Sequence, residues 1–469
     1  MLMKKNLLTT MMLMAAAIGM NAQPPSDSSP KYPSGATYQH TSGTATIEGQ
    51  TFDCSTQYYN VVQVSGGTLT MNNCTLTKTG DGSSGDNSSF YGNNSSIYAG
   101  SASSSGYSST TSASGVTLNI SGGSVTSSSQ GANGVFATNG ATINVSDLTI
   151  DNSKSVSRGL HATYGGIINA TNCTITTREA TSSTIATDRG GGTVTVTGGT
   201  ATAKGSRSAV LYSTGTITAT NLTGVSEKGE IADVEGDNGV IINNCTMTSG
   251  SSERGLMMLQ SGSGDAEGSN AYINVTSSSL TTTDSSAPLC EVPTLNTGTL
   301  TLTDVTLSVA SGVLMYVDYN TQWSTYGGYG HLKLATTQKS WTYEGKADAD
   351  SYSNLTVNVG TNVTWNGAVD TDNNAKTAAV TVESGAVWNL TANSYVSTLT
   401  NNGTINKNGY TLTYSSLNGS GTINETTSIS EKVKANSEKF STSYTLDGRK
   451  ATATTKGIVI QNGKKTVIH

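Results

Sequence analysis

From Ala45 to Leu307 the chain repeats one eight-position pattern, apolar-x-apolar-x-x-small-x-apolar, about every 24 residues. Its clearest copies are Leu69, Met71, Cys74 and Leu76; Ile143, Val145, Leu148 and Ile150; Ile168, Ala170, Cys173 and Ile175; Val194, Val196, Gly199 and Ala201; Val240, Ile242, Cys245 and Met247; and Leu300, Leu302, Val305 and Leu307. The first positions Leu118, Ile143, Ile168, Val194, Ile217 and Val240 follow one another at a nearly constant step. That spacing is the period of a solenoid. Within each copy the apolar residues alternate with Thr, Asn and Ser, as in a strand with one buried and one wet face. No segment beyond the leader keeps a helical apolar stripe with caps, so a helical reading fails.

The two-position spacer shifts the alternation by one, so the strand must turn there to keep facing inward. Asn72, Asn73, Gly122, Gly123, Gly198, Gly199, Asn243 and Asn244 lie in or beside it, and these residue types accept turn backbones. A further short strand follows in many repeats, as at Gly134–Ala137, Gly159–Ala162, Gly255–Met258 and Gly312–Met315. Each rung therefore contributes two or three short strands to parallel sheets running along one axis.

In this arrangement residues 40 to 425 resemble the right-handed parallel β-helix of the pectin lyase-like superfamily and its bacterial surface relatives, on repeat spacing and not on a diagnostic motif. The resemblance implies an all-β solenoid whose stability is a sum of rung and neighbour terms, with both ends needing a cap. Residues 41–311 form its regular part. Residues 312–425 read as a tapering continuation, with Leu355, Val357, Val359, Val363 and Trp365 echoed by Val380, Val382, Val387 and Trp388. Trp365 and Trp388 are one rung apart and read as core. Residues 77–115 interrupt the repeat: the step from Leu69 to Leu118 is two periods long, which implies either a poorly aliphatic rung near Ile97 or a long loop. A second expansion, from Val240 to Ile273, holds Ser261 to Ser269.

The two ends carry different signals. Lys4 and Lys5, an apolar run from Leu7 to Ile18, and Ala22 have the layout of a secretory signal peptide over residues 1–22, with 23–40 as a disordered lead-in. The apolar run is too short to span a membrane, and no transmembrane segment is expected. At the other end, Asn462-Gly463 joins two alternating runs, a hairpin signal. Leu446-Asp447-Gly448-Arg449, followed by Lys456-Gly457-Ile458 and Gly463-Lys464, resembles the C-terminal sorting domain of type IX secretion cargo. That resemblance implies a small β-sandwich over residues 426–469 read by the export machinery, and display at the cell surface or beyond it. Residues 451–455 lack the apolar positions many members carry.

Composition narrows the classes of function. Only 12% of residues are charged and the net charge is −6, so there is no basic footprint for nucleic acid. Of the five cysteines, Cys74, Cys173 and Cys245 occupy one inward position of the repeat and read as small buried hydrophobes. Cys54 with Cys74 is the one pair near enough in rung order to bridge. Motifs of the polygalacturonase type are absent, and acidic positions are sparse. The densest acidic run holds Glu230, Asp233, Glu235 and Asp237, whose oxygens suit Ca²⁺ as the one cofactor to consider; a solvated turn is the alternative. Asp188-Arg189 and Glu253-Arg254 read as surface pairs, and His161 as an outward residue without a partner. Tyr316, Tyr319, Trp323, Tyr326, Tyr329, Trp341 and Tyr343 crowd into one short stretch where the repeat breaks. Such rings either stack on sugars or plug the irregular turn.

These features lead to the expectation of a non-catalytic, secreted surface β-helix, adhesin-like or glycan-binding through its Thr/Asn-rich face. Host or plant glycans or surface proteins would be its partners. A carbohydrate-active enzyme, lyase or hydrolase, is the alternative, and a structural surface-layer spacer the third reading.

Overall fold

The computed structural model describes residues 30–83, 86–101, 115–260, 266, 268–293, 297–320 and 326–425, and the backbone of Tyr444–Thr445, Gly457–Gln461 and Lys464–Ile468. The leader, residues 23–29 and most of the sorting motif lie outside the described residues.

Alternating Thr and aliphatic residues form short strands, and the corner residues bend them into coils that stack as a right-handed parallel β-helix. One rung runs through Leu160–Thr163 in sheet A, Gly166–Thr171 in sheet B and Thr174–Thr177 in sheet C. Sheets A, B and C hold 12, 15 and 10 strands, every neighbour parallel, with the register shifting only between Ala203 and Ser206 in sheet C and between Val313 and Met315 in sheet A. The B-to-C corner is where the sequence pattern shifts phase. Asn73, Asp147, Asn172, Asn221, Asn244, Ser277 and Asp304 take φ of 49–56° there, and glycine pairs such as Gly122–Gly123 and Gly198–Gly199 serve the other rungs. Left-handed backbone is tolerated by Asn, Asp and Gly, which is why the spacer is written in those residues.

The core is the inward column of each sheet. Leu118, Ile143, Ile168, Val194, Ile217 and Val240 are stacked in register and wholly buried. Each such side chain contributes about 1.5–3 kcal/mol by leaving water. All five cysteines are buried and free, including Cys54 and Cys74, so no disulfide staples the coil.

The first strand, Gly35–His40, already pairs with Tyr59–Val64, so the coil begins inside the stretch expected to be a lead-in. Its polar composition conceals this, because the neighbouring rung supplies its partners and Tyr38 packs on Phe52 with ring centroids 5.4 Å apart. The 77–115 interruption is part of a single rung. Thr68–Asn72 pairs directly with Thr117–Ser121, and Ile97–Ala99 is that rung's strand in sheet A.

Sheet C ends at Thr306–Val309 and sheet A at Lys346–Ala349. A five-stranded sheet D, from Trp341–Glu344 to Thr422–Asn424, succeeds sheet C, and beyond Ala349 each rung has two strands, one in sheet B and one in sheet D. The stacked residues Val357, Val380, Leu399 and Leu417 come progressively closer in sequence, so the rung shortens toward the C-terminus. Trp365 and Trp388 stack inside this narrower coil, 5.3 Å between centroids and 15° from parallel. The terminal strands Tyr444–Thr445, Gly457–Gln461 and Lys464–Ile468 form a small antiparallel sheet, in which Gln461 pairs with Lys464.

Candidate functional site

Sheet A carries the chemistry. Its strands turn Leu160, Leu211, Ala232, Leu256, Cys290 and Met315 into the core, so the residue after each faces outward. Register then builds one outward column: Tyr98, Phe136, His161, Ala186, Tyr212, Asp233, Met257, Glu291, Tyr316 and Asp348. No other sheet concentrates titratable and aromatic groups in this way among the described residues.

The upper part of the column is roofed. The interruption folds back as a short helix, Asn87–Tyr91, ended by Gly92 in the left-handed region. A Cβ at Gly92 would fall 2.2 Å from the Phe136 ring, so only glycine lets the segment lie so close. Phe90 beneath it is 4.2 Å from the Arg189 guanidinium and 5.6 Å from that of Arg158. Arg158 Nη2 lies 3.4 Å from Asp188 Oδ2, and His161 Nε2 3.7 Å from the same oxygen. All four of these polar residues are buried. Burial, with Arg158 adding to it, holds the His161 imidazole well below its ordinary pKa, in the neutral form. Asp188-Arg189 is thus no surface pair, and His161 is a buried ring beside a carboxylate. Adjacent charges in sequence give no sign of a roof that comes from several rungs earlier.

Farther along, the column turns acidic. Ala232–Glu235 is a strand of sheet A whose Ala232 and Val234 join the core together with the preceding Ile231, leaving Asp233 and Glu235 on the outer face. Tyr212 Oη donates to Glu235 Oε1 at 2.9 Å. Arg254, read from sequence as half of a surface pair, is largely buried and lies 2.6 Å from both Glu253 Oε2 and Glu291 Oε2. Asp233 has one carboxylate oxygen, Oδ1, buried without a hydrogen-bond partner. Burial first, then Glu235 and Glu230, push its pKa well above the usual carboxylate range, against the pull of Arg254. Burial likewise raises Glu230 and Glu291.

Of the four candidate metal ligands, the fold places Asp233 and Glu235 together and Glu230 at the strand's lead-in. Asp237 lies past the strand, exposed in a turn. The group of three carboxylates whose oxygens lie within 4.8 Å of one another is instead Asp348, Asp370 and Asp372. Its oxygens already accept from Lys346 Nζ, Thr371 Oγ1 and the amides of Ala349, Asn374 and Ala375, which brace the turn.

The aromatic cluster divides. Tyr319 and Tyr326, with Tyr352, sit in the A-to-B turns of two neighbouring rungs, Tyr329 opens the sheet B strand that follows, and the Tyr319 and Tyr352 rings are 5.0 Å apart. Tyr326 and Tyr352 are 63% and 60% exposed, and Tyr316 opens onto the same corner from sheet A. Trp341 goes elsewhere: on sheet D it packs against the core and donates to the Val305 carbonyl at 3.2 Å. Tyr343 is buried. Trp323 lies outside the described residues.

At the same corner Asp350 accepts the Tyr319 amide at 2.7 Å. Asp318 beside it is pushed from 3.8 up to about 7 by burial, then by Glu291 and Asp350. It holds its proton more tightly folded than unfolded, so its contribution to stability falls as pH rises from about 4 to about 7. Thermal melts of wild type and Asp318→Asn should therefore diverge over that range, the variant gaining relative stability as pH rises; parallel curves would refute this assignment.

The expected Asn ladders exist on two faces. On sheet B Asn144 donates to Asn119 and Asn169 to Asn144, each at 2.9 Å. On sheet D Asn389, Asn406 and Asn424 each donate to the Asn one rung earlier, at 2.7–2.8 Å. A shallow cleft of about 580 Å³ lies over Glu344, Asn366, Asn389, Thr391 and Asn408. The interior members Asn144, Asn389 and Asn406 each engage one N–H and one lone pair in the ladder and keep one of each for solvent or ligand.

Of the sorting signal, Leu446, Asp447, Gly448, Arg449, Lys456 and Gly463 lie outside the described residues; Gly457, Ile458 and Lys464 fall on the paired terminal strands. Among the described residues no helix is long and apolar enough to cross a membrane. No family model matches the chain, and no curated protein or solved structure proves similar to it.

Proposed function

We propose that the protein is a secreted, surface-displayed β-helix that binds glycans without turning them over, in the manner of an adhesin. The observation that carries this reading is the set of exposed tyrosines, Tyr316, Tyr326, Tyr329 and Tyr352, contributed by two neighbouring rungs at the end of the acidic column. Flat rings with a polar edge suit the apolar faces and hydroxyl rims of sugars. Carboxylates and ladder amides along the axis supply acceptors and donors at the rung spacing of about 4.8 Å. The leader and the Leu446 to Lys464 motif support export and sorting by a type IX system, which would present this face outside the cell.

A glycan array probed with the full chain should give binding that Tyr326→Ala and Tyr352→Ala each weaken by about tenfold, the scale of a central aromatic contact. An array blank for the wild type refutes the proposal and favours a spacer.

One observation favours a second reading, a glycoside hydrolase. Asp233 and Glu235 lie two positions apart on one face, about 6.5 Å along the strand. Asp233 is disposed to keep its proton, as a general acid must. New reducing ends from a polysaccharide panel, lost in Asp233→Asn, would establish this reading and end the non-catalytic one.

A further inference from the structure

We infer that the cleft on sheet D, floored by Asn366 and Asn389 and rimmed by Thr391 and Asn408, is a second sugar site that selects N-acetylated sugars over plain neutral ones through paired amide hydrogen bonds. The inference rests on the glycan-binding reading above and adds a place and a substituent to it.

The cleft is open to solvent, and its polar groups are held in place. At about 580 Å³ it lies in the size range of ligand sites. Thr391, Asn408 and Glu344 at its rim are exposed, and Asn366 and Asn389 beneath them are half-buried. Asn366 and Asn389 are stacked in register, and Asn389 donates to Asn366 at 2.8 Å while accepting from Asn406 at 2.7 Å. Asn389 is therefore fixed, with one N–H and one lone pair unspent. Asn408 takes a left-handed backbone in its turn, φ 51°, and donates to the Leu390 carbonyl at 3.2 Å. That bond fixes a second amide and leaves its Oδ1 and its other N–H for a ligand. Groups already ordered in the free protein lose little entropy when a ligand arrives.

The chemistry of the lining selects the substituent. An Asn side chain and an acetamido group each carry an N–H beside a C=O, so the two pair through two parallel hydrogen bonds. A sugar hydroxyl engages only one of the two groups at a time. Bidentate pairing of this kind is how Asn tells one base edge from another. The one charge in the lining is the Glu344 carboxylate, which accepts from Asn366 at 3.4 Å and repels uronic and sialic acids. An extended peptide also presents amides, but out of step: its backbone advances about 3.3 Å per residue, whereas the amide row advances about 4.8 Å per rung.

Isothermal titration of the full chain tests the inference with hexamers of N-acetylglucosamine, glucose and galacturonate, and with an uncharged glycine-serine hexapeptide. The N-acetylglucosamine hexamer is expected to bind about tenfold tighter than the glucose hexamer, with the galacturonate hexamer weakest. Asn408→Gly, which the left-handed turn accepts, and Asn389→Ala should each shrink that preference severalfold, with melting temperatures within a few degrees of wild type. Tyr326→Ala should leave the preference intact. Equal binding of the N-acetylglucosamine and glucose hexamers overturns the inference and leaves glycan binding standing. A preference that both Asn variants retain, or that Tyr326→Ala alone removes, overturns it by placing the selection elsewhere. Tighter binding of the hexapeptide also overturns it, by assigning the row to peptide amides. Silence toward all three sugars from a chain that binds on a glycan array overturns the inference alone; with a blank array it brings down the glycan-binding reading as well.

Discussion

Replacing Trp365 by alanine is expected to lower the unfolding free energy by about 3–5 kcal/mol, the largest loss from any single side chain of the narrow coil. Trp365 is wholly buried in sheet D between Tyr343 and Trp388 in register, and its indole Nε1 donates to the Gly345 carbonyl at 2.9 Å. Trp388 repeats the arrangement one rung on, donating to Gly367 at 3.0 Å. Gly367 must be glycine, because a Cβ there would lie 2.2 Å from the Trp365 ring. The two-stranded rungs have fewer aliphatic residues than the three-sheet coil, so these two indoles fill the space. Removing one leaves a cavity and an unpaired carbonyl, and neighbour coupling carries the loss into adjacent rungs. Urea unfolding should give the magnitude, and hydrogen exchange should locate the early opening in strands Val363–Gly367 and Val387–Leu390. A loss below about 1 kcal/mol, well under the usual cost of a deleted core aromatic, or exchange unchanged there, would mean that the stack does not hold the coil together.

The second large effect belongs to Asp188→Ala, expected to cost about 3–5 kcal/mol because it leaves the buried Arg158 guanidinium without its carboxylate. Asp188 pairs with Arg158 at 3.4 Å and accepts the Arg189 amide at 2.9 Å, beneath the Asn87–Tyr91 roof. The loss should appear both in denaturant unfolding and as faster proteolysis of the roof segment. The same site gives a pH signature. His161 is held well below 6.5 when folded, so as pH falls under 6.5 the unfolded chain takes up the proton first and stability declines. His161→Gln should flatten that decline, whereas Asp318→Asn acts in the opposite direction between about 4 and 7. An unaltered acid limb in His161→Gln would show that the ring titrates freely.

Legibility differed sharply between the two faces of the same strands. The inward positions could be read because each rung imposes the same demand at the same phase: Cys74, Cys173 and Cys245 lie where Leu148 and Val305 lie, and all are buried. The outward positions obey no such repeat. Asp233, Glu291 and Tyr316 come from separate rungs with long turns between them, and only the register of sheet A makes them neighbours. Proximity in sequence misled in the opposite sense. Asp237 follows Glu235 closely yet leaves the face, and Trp341 follows the tyrosines yet belongs to sheet D.

Period, alternation and left-handed turn residues are local properties of a chain, so the order of residues is enough to dictate a β-helix, the side chains that fill it and the places where its corners turn. The tertiary structure alone decided that the interruption folds back as a roof, that Asp188, Arg158 and His161 are buried together, and that acids and tyrosines align along one face. Those outcomes depend on which turn is long and on the register between rungs, and neither is written in the residues that eventually meet.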